Sequence, residues 1–326
     1  MDLRSLRLYM AVLEHGSITK ASESVHVAQP ALGLHIRKLE EELGLRLLER
    51  HSRGVRATEA GVLLANHAEV ILRYVDQAKD ELTSYAKVPS GKVVIGLTPT
   101  AREAIAVPLV ERVSRDLPGV HLTVKEALSE SLVESLLDGR IDAALIYNTR
   151  EGGDQLLFEP LAAENMYFVY PLSEGRREGD TIRLTDAISE RLILPTRPHL
   201  VRTEVDRLAE NIGIVPNLVH EVDSTAAIRD FVSRGLGCSI MPRGAVMNHA
   251  YAASVGSQMV VEPQIKRLLH LAHSRRRSIS KAFKAALSAL KSVVEDEIRR
   301  PDGQWQRLEP RLRIVRNPTA VEERAG

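Results

Sequence analysis

Apolar residues recur at steps of three and four through the first forty positions of the chain. Leu3, Leu6, Met10 and Leu13 mark one face of a first helix, because 3.6 residues per turn bring such positions together. Gly16 stands where a left-handed residue would end that helix, and Ser17 can cap a short second one from Ile18 to about Ser24. Val25-His26-Val27 makes a tight turn. A third helix starts near Gln29, with Pro30 tolerated in its first turn. Its inward stripe is Leu32, Ile36, Leu39 and Leu43, and Gly44 stops it. Residues 45–48 and 55–57 read as short strands around a turn at Arg53-Gly54. Three helices and a small hairpin in this order form a winged helix-turn-helix pattern.

Thr58 can cap a fourth, longer helix. Its apolar positions Leu64, Ala68, Ile71, Val75, Ala78, Leu82 and Tyr85 step alternately by four and three, which is a heptad seam. From Thr58 to Tyr85 such a helix spans about 40 Å. Little chain precedes it to bury the seam, so Leu64, Ala68, Ile71, Val75, Ala78 and Leu82 are expected at a contact with a second chain. Val88-Pro89-Ser90-Gly91 reads as a hinge. Beyond it, strands predicted at 92–97, 120–126, 143–147, 166–170, 192–194, 215–222, 238–241, 258–261 and 267–273 alternate with helices predicted at 101–116, 131–137, 202–212, 225–233 and 279–298. Repeated β-α-β implies an α/β domain with a mostly parallel sheet covered by helices. The last stretch carries Pro301, Pro310 and Pro318 with little periodicity and reads as a tail.

A chain of 326 residues accommodates two or three domains. The pattern divides it into 1–58 for the winged domain, 59–88 for the linker helix, 91–298 for the α/β domain and 299–326 for the tail. Net charge is only +1, so the overall balance does not announce a nucleic-acid binder. The distribution says more. Residues 1–58 hold nine Lys/Arg against seven Asp/Glu, and the run from Arg50 to Arg56 has three arginines, a histidine and no acid. No stretch reaches the about 18 apolar residues of a membrane helix. The N-terminus lacks an apolar signal core, and the one cysteine, Cys238, cannot pair within the chain. These features fit the cytoplasm, with no membrane partner.

On the third helix, the side opposite the leucine stripe carries Pro30, Leu34, Arg37 and Glu41, flanked by Gly33 and Lys38. Gly33 removes bulk where a backbone must approach closely. Arg37 and Lys38 can reach phosphate or guanine, Gln29 can read adenine, and a leucine aimed at solvent, Leu34, suits a thymine methyl. With Arg50 and Arg53 in the wing, this face is the expected contact with double-stranded promoter DNA.

The run from Ser17 to Leu32 (SITKASESVHVAQPAL), continued by Ile36 to Gly44 (IRKLEEELG), resembles the signature of the LysR-type transcriptional regulators. Leu48-Glu-Arg50, Arg53-Gly-Val55 and Thr58-Glu-Ala-Gly61 resemble the wing and linker start of that family, and Gly139 to Ala143 and Gly235 to Pro242 are similar to its later landmarks. Gly96 to Thr100, Ala144 to Tyr147 and Leu194 to Thr196 are similar to its nitrogen-assimilation-control-like subgroup. The resemblance implies two periplasmic-binding-protein-like lobes, here about 91–161 with 267–298 and about 162–266, and a small effector in the cleft between them. It also implies a homodimer or homotetramer with recognition helices in successive major grooves, RNA polymerase as a partner, and no enzymatic activity or cofactor. Ala28 departs from the pattern, standing where Ser or Thr commonly caps the recognition helix; losing such a cap costs about 1 kcal/mol. Gly33-Leu34-His35 also replaces a commoner Ser-Arg-Gln, so base preference does not carry over, and the tail after Arg300 lies beyond the usual family end.

The effector site can be argued from the residues. Thr98 and Thr100 sit where a strand ends and a helix begins, where free helix N–H groups and hydroxyls bind anions. Thr196 and Arg197 end another strand, Arg202 lies in the first turn of the next helix, Thr149 follows a strand, and Ser129 and Thr225 are placed to cap helices. Singly each hydroxyl is a plain cap; together with two arginines they favour a small anionic effector at the strand ends. Other chemistry is weaker. Gly235-Leu-Gly237 precedes a strand rather than opening a helix, and a dinucleotide site needs the reverse order. His270 and His273 point to opposite faces of a strand and make a poor metal pair, and Cys238 lies in an apolar run as a core thiol would. A rival reading, a bilobal receptor or enzyme with an N-terminal interaction module, would want a signal peptide or a clustered acid/base set, and neither is found.

Overall fold

Helix α1 (Leu3–His15) begins where Asp2 accepts a hydrogen bond from Ser5 N at 2.7 Å and ends at Gly16, whose φ of 58° suits glycine. The structure, a computed structural model, describes residues 1–51, 54–83, 88–147, 153–247, 253–275 and 280–308. Ser17 caps α2 (Ile18–Ser24) as the sequence predicts, and α3 (Gln29–Leu43) starts at Ala28 with no side-chain cap. Leu32, Ile36 and Leu39 of α3 are buried with Tyr9 and Val12 of α1. Leu43, predicted in the same stripe, is instead 39% exposed. Glu40 explains the departure. Its Oε1 accepts from Leu47 N at 2.9 Å and Leu48 N at 3.2 Å, turning the chain so that Leu47 and Leu48 fill the core. The wing is the antiparallel pair β1 (Leu48–His51) and β2 (Gly54–Ala57), tied to the end of α1 by Val55 N donating to Gly16 O at 2.8 Å.

The linker helix α4 (Glu59–Thr83) is capped by Thr58, whose hydroxyl accepts from Gly61 N at 3.0 Å. A Cβ on Gly61 would lie 2.1 Å from Leu47 O and 2.6 Å from the Tyr9 hydroxyl, so helix, wing and core meet there with no room for a side chain. The heptad reading needs correction at its start. Ala68 is already fully buried within one chain, and Leu64 packs on the winged-domain core. That core offers more cover than the few preceding residues suggest. Val62, Leu63 and Tyr74 are the large exposed apolar side chains of this helix among the described residues, at 52%, 61% and 57%, and Ala78 is exposed too. The side chain of Leu82 and all of Tyr85 lie outside the described residues. Further along, Arg73 forms an ion pair with Asp142, and Glu69 meets Lys125 Nζ at 3.2 Å.

Beyond the linker come β3 (Gly91–Leu97), α5 (Pro99–Asp116), β4 (Val120–Glu126), α6 (Ser129–Leu137), β5 (Ala143–Tyr147) and β6 (Leu156–Pro171). Next are β7 (Thr181–Arg183), α7 (Leu184–Ser189), β8 (Leu192–Leu194), α8 (Leu200–Asn211), β9 (Leu218–Glu221), α9 (Thr225–Ser233), β10 (Ser239–Pro242) and α10 (Gly244–Met247). The described chain closes with β11 (Val255–Val261), β12 (Lys266–Ser274), α11 (Lys281–Arg299) and β13 (Gln306–Arg307). The main sheet runs β4-β3-β5-β12-β6-β11-β7, and β8 and β9 pair separately. It is mixed rather than mostly parallel. β3, β4 and β5 are parallel, but β12 runs antiparallel to β5 and β6, and β10 and β11 antiparallel to β6.

Strand β6 is the spine of two lobes. Its first half, through Asn165, pairs with β12; from Met166 on it pairs with β10 and β11. The boundary expected at residue 162 therefore falls inside this strand. Lobe I packs α5 and α11 on a core that includes Ile95, Leu97, Leu109, Leu271 and Phe283. Lobe II packs α7 and α8 on Phe168, Leu184, Leu194, Val205 and Ile240. The segment after α11 departs from the expected tail. Through Leu308 it folds back, burying Trp305 in the lobe I core and pairing β13 with Ala162 and Ala163 of β6. Residues 309–326 lie outside the described part.

Candidate DNA interface and effector cavity

On α3 the sequence-predicted face is open. Gln29, Pro30, Arg37 and Lys38 are exposed, and Leu34 stands 49% exposed among them. Gly33 is half-buried with nothing within 4 Å of where a Cβ would be, so its backbone is approachable from outside. The helix starts without a side-chain cap, leaving its first N–H groups available to phosphate. Arg50 pairs with Val55 in the wing ladder. Its side chain and the whole of Arg53 lie outside the described residues.

The second site lies where the lobes meet. A cavity of about 560 Å³ is lined by the starts of α5, α6, α8 and α9, the end of β5, the whole of β10 and the loop that follows β8. Of the predicted residues, Thr98, Thr100, Ser129, Thr196 and Thr225 line it. Thr149 lies outside the described residues. Four helix starts converge there, and that of α8 is capped by His199. Those of α5 and α6 carry no side-chain cap, while Ser224, not Thr225, caps α9. Ser129 does not cap α6 either. Its hydroxyl accepts from Tyr147 N at 3.1 Å, which leaves its own proton to donate elsewhere. Thr98 Oγ1 is buried and has no hydrogen-bond partner among the described residues.

The predicted cations are placed differently. Arg197 and Arg202 do not line the cavity; both guanidinium groups pair with Asp206 at 2.8 Å, and Arg202 also reaches Glu221 at 2.5 Å. The i,i+4 spacing of Arg202 and Asp206 was the available signal. The buried cation on the cavity wall is Arg267, at the start of β12. Its Nε donates to Glu164 at 2.5 Å, its Nη2 donates to Thr100 Oγ1 at 2.8 Å, and its guanidinium carbon sits 3.6 Å from the centre of the Tyr147 ring. Burial alone would lower the Arg267 pKa, but Glu164 and Tyr147 outweigh it and hold the group above its ordinary value. The other lining arginine, Arg102, pairs with Glu126. His199 also lines the cavity. Its Nδ1 accepts from Val201 N at 3.2 Å, so the proton sits on Nε2, and burial followed by Arg267 holds its pKa below the usual value. Thr196 is turned toward Asp223, donating through N at 2.8 Å and Oγ1 at 2.6 Å. The site thus offers uncapped N–H groups, hydroxyl protons and an imidazole N–H around a neutralised ion pair.

A winged helix-turn-helix joined by a linker helix to a two-lobed α/β domain with a cavity at the lobe junction defines a DNA-binding regulator that carries its own sensor. Residues 3–62 match the bacterial regulatory helix-turn-helix proteins of the lysR family, and residues 86–295 match the LysR substrate binding domain. The chain belongs to the LysR family of transcriptional regulators. It is 32% identical over 297 residues to the nitrogen assimilation regulatory protein nac of Klebsiella aerogenes, covering 90% of this chain and 95% of that protein. It is 27% identical to the dual regulator OxyR of Escherichia coli, over 88% and 96% of the two chains. Among solved structures, a full-length OxyR variant from Pseudomonas aeruginosa superposes with a TM-score of 0.67 at 25% identity, covering 95% and 99%. CbnR bound to its target DNA shares the fold, with a TM-score of 0.68 at 22% identity, covering 91% and 99%. No helix among the described residues is long and apolar enough to cross a membrane.

Proposed function

We propose that this regulator binds promoter DNA through the exposed face of α3 and the wing, and that a small anion in the interlobe cavity alters DNA binding or promoter activation. The observation that carries the anion is the meeting of two uncapped helix N-termini, α5 and α6, at one cavity beside the unpartnered Thr98 hydroxyl. Helix N–H groups and the positive end of the helix dipole suit a carboxylate. A ligand shifts the lobes only by its differential affinity for two arrangements, and bonds to both α6 of lobe I and α9 of lobe II supply that difference. The working unit is a homodimer or homotetramer, and activation proceeds through RNA polymerase. Calorimetric titration of the full-length protein with acetate, succinate and glutamate tests this. Thr98→Val should weaken the anion that binds by about ten- to a hundredfold, the loss of one hydrogen bond to a charge. Equal affinity in the variant moves the site elsewhere.

Relatives that are hydrogen peroxide-inducible activators raise a thiol-switch reading. Cys238 argues against it. It is the one cysteine, it is buried, and burial pushes its thiol up to about 12. Peroxide attacks thiolates, and a thiol held protonated in a core is inert.

A further inference from the structure

The segment that follows α11 lies beyond the matched substrate-binding range, which ends at residue 295, yet it reaches the cavity wall from behind. Trp305, 2% exposed, donates its indole N–H to the Tyr147 hydroxyl at 3.0 Å. Gln304 donates to Thr100 O at 3.3 Å, and its backbone N donates to the buried Glu297 carboxylate at 3.2 Å. Gln304 also presses on α10 of lobe II so closely that any Cβ on Gly244 would overlap it. Tyr147 and Thr100 both line the cavity, and they are two of the three groups that hold Arg267.

We infer that residues 303–308 are a working part of the effector cavity, with Trp305 and Gln304 as positioning residues that set Tyr147, Thr100 and through them Arg267. This rests on the cavity being the effector site. A wall built by two separately anchored elements can drift; one fixed from behind by a buried indole and an amide cannot, and small shifts in wall position translate into selectivity. This strap, residues 303–308, also touches both lobes, through β13 on β6 and Gln304 on α10, so it sets where the wall stands relative to lobe II.

The test uses Thr98→Cys in the full chain, alkylated with iodoacetate, an anion, and with neutral iodoacetamide. Cys238, buried with its thiol pushed up to about 12, stays silent as an internal control. Adding Trp305→Phe, which keeps an aromatic ring but removes the N–H and part of the bulk, or Gln304→Ala should raise the labelling rate with both reagents by about fivefold or more, as the loss of one hydrogen bond allows. Cys238 should remain unlabelled, since only general loosening would expose it. Wild-type labelling rates in both variants, or labelling of Cys238 in step with the engineered site, overturn the inference. The anion reading is scored separately by the preference for iodoacetate over iodoacetamide in the Thr98→Cys parent. A ratio no higher than that of a free thiol such as glutathione sinks that reading without touching the strap result.

Discussion

Arg73 of the linker helix and Asp142 at the foot of β5 form an ion pair that joins the DNA-binding half of the molecule to the sensing half. Asp142 is nearly fully buried, and its second oxygen accepts from Val94 N at 2.6 Å. Burial pulls Arg73 down to about 10, which leaves it charged at neutral pH. Five residues along β5 from this pair stands Tyr147 in the cavity wall. Because α4 also packs on the winged-domain core, the pair ties the helix that carries that domain to the strand that ends in the cavity wall. Removing one member of a buried pair costs about 3–5 kcal/mol. Arg73→Met should therefore lower the unfolding free energy by about that much. A cycle with Asp142→Asn should show coupling of about 1 kcal/mol or more by denaturant unfolding; additive effects would show that the two groups do not support each other.

Arg37 and Lys38 project from α3 on the side away from its buried stripe. Replacing each by alanine should weaken operator binding without changing thermal stability. A lost phosphate contact lowers the salt slope by about one, whereas a lost base contact relaxes specificity at one position. Binding equal to wild type at every salt concentration would remove α3 from the interface.

His199 gives the stability a pH dependence. Its folded pKa is held below the ordinary 6.5 by burial and then by Arg267. The folded state therefore binds fewer protons than the unfolded one. The stabilising contribution is complete above the unfolded pKa of about 6.5 and is lost as pH falls through the lower folded value. His199→Asn keeps a side chain able to cap α8 but cannot titrate. The thermal midpoint of the wild type should drop more steeply than that of the variant below about pH 6.5; parallel curves would assign the titration to another group.

Leu63 is the most exposed apolar side chain of α4 among the described residues, while Ile71 of the heptad seam is half-buried within its own chain. Leu63→Glu should separate subunits while leaving the monomer folded, measured by sedimentation alongside far-ultraviolet circular dichroism. Ile71→Asp should instead destabilise the chain itself, because part of the seam is filled from within. An unchanged oligomer for Leu63→Glu would place the contact on another face.

The winged domain was largely legible because its signals are local. Gly16, Ser17 and Gly44 end or start helices through groups within a few residues, and the missing cap at Ala28 was visible as a residue type. Helix α9 came out at its observed bounds for the same reason. Distant pairing was not legible. β6 reads as an interrupted pattern because Pro160 breaks its first half and Glu164 and Asn165 sit where its partner changes, so only its second half was foreseen. Arg267 belongs with Glu164 across 103 positions, and no periodicity links the two. The cavity's hydroxyls were found because strand-to-helix junctions are sequence features. Its cation was missed because its partner lies in another element. Trp305 sits in a proline-flanked stretch without alternation, which hid a buried anchor.

The strap has an optical consequence. The chain holds one tryptophan against seven tyrosines, and that tryptophan is bonded to the cavity wall. All indole emission from this protein therefore originates at one solvent-shielded point, one side chain away from the ligand space. A spectral shift or a change in lifetime on mixing with a metabolite reports on the floor of that space alone, undiluted by signal from the DNA-reading half. The molecule carries its own fluorophore at the place where sensing is to be timed, and stopped-flow kinetics need no label.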